Sequence, residues 1–123
     1  MSDDTPASAR DRIEKIGTEL ARASLALKRA RDAEVEAEHT YEAQRRAWLL
    51  STECPKVSRT GTTAAERDAW VDSRCDETYF KFRVATATRE AAKDSLAVCQ
   101  TQAMLAMALL RSVDTAYNMA GVS

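Results

Sequence analysis

Apolar and polar positions divide this chain into two long helical patterns separated by a break. The first pattern runs Ile13, Ile16, Leu20, Ala23, Leu27, Ala30, Glu34, Ala37, Tyr41, Gln44, Trp48. Its steps alternate between three and four residues, which makes a heptad seam sustained over about five heptads. Leu25 and Val35 widen the apolar stripe, and Glu34 and Gln44 interrupt it. Gly17 is a weak point, costing about 1 kcal/mol against alanine, and it offers room for a close helix contact. Thr5 can cap this helix and Pro6 suits its first turn. The pattern predicts helix over 6–51, preceded by a frayed 1–4.

Residues 52–62 break the pattern with Pro55, Gly61 and several Ser/Thr, so a loop is expected there. Thr63-Ala64-Ala65-Glu66 then matches a capping box. Neither Gly nor Pro intervenes before Gly121, so a second helix is predicted over 63–120. It carries two seams side by side. One is Trp70, Glu77, Phe80, Val84, Ala87, Ala91, Val98, Leu105; the other is Phe82, Ala85, Ala92, Leu96, Cys99, Ala103, Ala106, Leu110, Val113, Tyr117. Over the C-terminal half their union covers about half the circumference, more than one partner helix can shield.

At 1.5 Å per residue the two helices would be about 69 Å and about 87 Å long. Folded as an antiparallel hairpin, the chain after about Leu109 would then overhang the start of the first helix. That overhang carries Leu110, Val113, Tyr117 and Met119. The fold class expected is therefore all-α: two long helices in an antiparallel coiled-coil-like hairpin, one domain over 1–123, dimerising into a four-helix arrangement. The expected oligomer interface is Leu96, Cys99, Ala103, Ala106, Leu110, Val113 and Tyr117.

Charge sharpens this picture. From Asp94 to Ser123 the charged residues are Asp94, Arg111 and Asp114 alone, whereas the rest of the chain is densely charged. The net charge of −1 argues against a strongly basic nucleic-acid binder. The three cysteines, Cys54, Cys75 and Cys99, are odd in number and widely spaced. They read as free thiols of a reducing cytoplasm. The polar, acidic start is not a secretory signal. The purely apolar run Ala103 to Leu110 is far shorter than the roughly 20 residues of a bilayer span, so no membrane partner is expected.

Candidate chemistry is sparse. His39 with Glu36 and Glu42 has helical spacing for a metal, but the stretch reads as a solvated acidic face, so no metal or cofactor is expected. Cys99 lies in an apolar seam and acts as a small hydrophobe. No phosphate loop or nucleophile elbow is present, and no enzyme is expected. The loop region gathers Arg45, Arg46, Lys56, Arg59 and Arg67 against Glu53 and Glu66, with Trp48 and Trp70 on its flanks. Arginine beside aromatics can grip phosphates and stack on single-stranded bases. The opposing reading is that the tryptophans lock the tip and the arginines solvate it. Candidate partner contacts at the tip are Arg45, Arg46, Trp48, Lys56, Arg59 and Arg67.

The stretch Gly61-Thr62-Thr63-Ala64-Ala65-Glu66-Arg67-Asp68-Ala69, leading into an alanine-rich helix, resembles small α-helical hairpin proteins of actinobacterial phages. Some of these are encoded near recombination or single-strand-binding genes. The resemblance spans about 40–115 and implies an intracellular accessory role with no site residues attached. The tail after Val113 is longer and more apolar than that group implies. Small hairpin export substrates carry a Trp-x-Gly turn, absent here: Trp48 precedes Leu49-Leu50 and Trp70 precedes Val71-Asp72. The leading expectation is a non-enzymatic interaction protein that self-associates and acts on DNA metabolism or a host protein. The alternative is single-stranded nucleic-acid binding through the tip.

Overall fold

The heptad seam of the first pattern closes on the chain itself. In the computed structural model, which describes residues 5–121, α1 spans Pro6–Leu49, α2 Ala64–Arg74 and α3 Asp76–Gly121. Among the described residues helix makes up 86% and no strand forms, only an isolated bridge between Val57 and Thr62. The expected fraying of 1–4 lies outside the described residues.

Every seam position of α1 from Ile13 to Trp48 is buried or half-buried, with Leu27 and Ala30 the most enclosed. The two polar interruptions are each answered from α3. Arg89 donates to Glu34 at 2.7 Å, and the Thr78 hydroxyl donates to Gln44 Oε1 at 2.5 Å. Leu25 and Val35 do not widen the buried stripe; both are exposed. Gly17 is exposed too, and a Cβ there would meet open space, so it serves no close contact.

The caps follow the sequence. The Thr5 hydroxyl accepts from the Ser8 amide at 3.1 Å. Thr63, extended at φ −81° and ψ 162°, accepts from the Glu66 amide at 3.1 Å. Only this half of the capping box forms among the described residues.

The second helix is not continuous, which corrects the two-helix expectation. Cys75 takes φ −108° and ψ 11°, and its amide turns back to the Asp72 carbonyl at 3.1 Å. Its own carbonyl accepts the first bond of α3, from Tyr79 at 2.8 Å. The Cys75 side chain is buried beside Val71 and Cys54, with Tyr41, Trp48, Leu49 and Trp70 packed around them. Burying that thiol where two helices meet fixes the bend without Gly or Pro. Asp76 and Glu77 then stand in the first turn of α3, where the helix dipole favours carboxylates.

The chain resolves into two compact units. One is Arg29–Glu90, holding the loop, α2 and the adjoining parts of α1 and α3; the other draws on Met1–Lys28 and Ala91–Ser123. Within the first, Gln44 meets Thr78 and Glu34 meets Arg89, so α1 and α3 run antiparallel. The second pairs Arg10 with Asp114 at 3.5 Å. Ala9 and Val113 are both buried there. The overhang predicted after Leu109 therefore does not exist at Val113. The start of α1 reaches the Val113 turn, as the Arg10–Asp114 pair shows.

The Glu34 carboxyl is held below its usual value of 4.5, chiefly by the bond from Arg89 and then by one from Thr86. A carboxyl lowered by folding adds stability above its unfolded pKa and loses it as pH falls through the folded value. Thermal unfolding of Glu34→Gln should therefore lie furthest below wild type at neutral pH, and the gap should shrink below about pH 4.5. A gap that stays constant into acid would remove this pair from the stability of the fold.

Candidate functional site

Two surfaces merit attention, one in each unit. In the Arg29–Glu90 unit the tip is built as a lock. Trp48 and Trp70 meet edge-on at 81°, centroids 5.8 Å apart. The Arg74 guanidinium lies 3.8 Å from the Trp70 ring centre and 5.6 Å from that of Trp48. Arg74 was missed by the sequence reading, although it follows Trp70 by one helical turn.

The candidate cations divide into two groups. Arg45 bonds to Asp72 and lies 3.9 Å from Asp68. Burial works against the Arg45 charge, but Asp72 and Asp68 outweigh it and hold the guanidinium more firmly protonated. Arg67 pairs with Asp68 at 3.2 Å. Arg45 therefore serves the α1–α2 contact, while the Arg67–Asp68 pair stays within α2. Arg46, Lys56 and Arg59 are exposed and make no ion pair among the described residues.

Burial pushes the Cys75 thiol up; Arg45 opposes the shift, and Asp72 and Asp76 add to it. A buried, protonated thiol is a poor nucleophile. Among the described residues no three His, Cys, Asp or Glu side chains gather as a metal site.

In the other unit α3 places its seams differently from expectation. Leu96, Cys99, Ala103, Ala106 and Leu110 are half-buried and Val113 is buried, all within a single chain. The row expected to bind a second copy is thus taken by α1, except for Tyr117, which stays exposed. The first seam points outward instead. Val98 is 57% exposed, Leu105 66% and Met104, on an adjacent row, 71%. A shallow depression of about 740 Å³ lies among Ala103, Met104, Leu105, Met107, Ala108 and Arg111.

No protein family, curated protein sequence or solved structure matches the chain. Its function has to be argued from these surfaces.

An 18-residue window of α3 reaches a mean hydropathy of 1.3 with 6% of it buried, long and apolar enough by composition to cross a bilayer.

The division at the tip is testable by stability. Arg46→Ala with Arg59→Ala should change unfolding free energy by less than about 0.5 kcal/mol, as exposed substitutions do. Trp48→Ala, which empties half-buried volume, should cost about 2 kcal/mol in urea denaturation. Equal losses from both variants would make the arginines structural.

Proposed function

We propose that this chain is a non-enzymatic helical interaction protein that works as an assembly of two or more copies. The observation that carries this reading is the uncovered apolar face of α3 at Val98, Met104 and Leu105.

A protein partner explains the face better than a bilayer. In the same unit α1 carries Arg10, Arg12, Lys15 and Arg22 beside α3. Inserting α3 would drag those charges into hydrocarbon or strip away α1, and either is costly. Free thiols at Cys54, Cys75 and Cys99 support a cytoplasmic setting. An accessory role in phage DNA metabolism or on a host protein rests on the Gly61–Ala69 resemblance.

Sedimentation equilibrium tests this. A dimer or larger species is expected at micromolar concentration. A monomer persisting at high micromolar concentration would overturn the proposal.

A second reading is favoured by one observation, Arg46, Lys56 and Arg59 at the tip, which have no ion-pair partner among the described residues: single-stranded nucleic acid held by its phosphates. Such binding should weaken steeply with salt. Titrating a labelled oligothymidine at two salt concentrations checks it, and Arg46→Ala with Arg59→Ala should abolish the signal. Salt-independent binding, or none, would end this reading.

A further inference from the structure

From the outer face of α3 we infer that the second copy packs α3 against α3 in antiparallel fashion, about a two-fold axis passing between Gln102 and Ala103. This rests on the self-assembly proposed above and specifies its geometry.

The outer face repeats at heptad spacing. Ala97, Thr101, Met104, Ala108 and Arg111 follow one another at steps of four and three, and Ala97, Thr101, Met104 and Ala108 are all exposed. Thr101 adds little polarity to the row, because its hydroxyl donates to the Ala97 carbonyl at 3.1 Å. Val98 and Leu105 flank the row as its large apolar members. Small residues at Ala97, Thr101 and Ala108 allow two helices to approach closely.

Charge decides direction. From Ser95 to Leu110 the helix carries no charge; Asp94 closes this stretch at one end and Arg111 at the other. Both residues are exposed, and neither has an oppositely charged partner among the described residues. An antiparallel pair centred between Gln102 and Ala103 sets Ala97 against Ala108 and Thr101 against Met104. The same register places Asp94 against Arg111 of the other copy, twice by symmetry. A parallel pair would set Asp94 against Asp94 and Arg111 against Arg111, which is repulsive at both ends. The face is thus self-complementary in one direction only, as a closed two-fold interface requires.

The test uses the full chain with Cys99→Ser. Ala97→Cys and Ala108→Cys chains are prepared separately, mixed, and equilibrated with reduced and oxidised glutathione. Each interchain disulfide forms as two thiols are oxidised while one oxidised glutathione is reduced to two thiols. The mixed 97–108 disulfide should exceed either symmetric product about tenfold. In parallel, Asp94→Arg and Arg111→Asp should each weaken dimerisation about tenfold, and the two together should restore it. Symmetric disulfides in excess, or charge reversals without effect on a chain that still dimerises, would overturn the antiparallel geometry alone. A wild-type chain that sediments as a monomer would overturn the assembly reading as well.

Discussion

Two polar bonds set the register of the helix pair in the Arg29–Glu90 unit. Apolar heptads attract but repeat, so a slide of one heptad preserves most apolar contacts. Arg89 on Glu34 and Thr78 on Gln44 remove that degeneracy. A slide by seven residues would set Glu34 against Phe82 or Leu96, and Gln44 against Val71 or Ala85. A carboxylate set against apolar side chains loses its bonding partner and part of its hydration, which disfavours the slid register. The interruptions that make α1 a poor zipper are therefore what makes its pairing with α3 unique.

Much of this was legible in the residues. The seam of α1, the caps at Thr5 and Thr63, and the loop around Pro55 and Gly61 all follow from spacing and turn chemistry. The bend at Cys75 was not, because it uses no helix breaker. Its traces are Asp76 and Glu77, an acidic pair suited to a helix start, behind a cysteine that packs inward. The seam assignment had a readable clue that was passed over. The row Phe82, Ala85, Ala92, Leu96 has a gap one turn after Ala85, and Arg89 fills it. Asking which face of α3 offers a cation to Glu34 would have identified the row that α1 covers.

At the tip, composition was readable but pairing was not. Counting arginines near a turn suggests a basic surface, yet Asp68 and Asp72 come from the same helix turn and neutralise Arg45 and Arg67. The Trp48–Trp70 contact, covered by Arg74, belongs to packing. Once α1 has taken one seam of α3, the other is left facing outward, and the functional argument rests on that residue of unpaired surface. The width of the apolar arc on α3 stated this need in the sequence; only the fold says which half of the arc remains.

The central claim is that the Glu34–Arg89 bond holds the helix pair in register. A double-mutant cycle with Glu34→Gln, Arg89→Gln and the double variant, read by urea denaturation at neutral pH, addresses it most directly. A coupling energy clearly above the error of the measurement is predicted for this charge-assisted bond. Additive losses, with no coupling, would contradict the account.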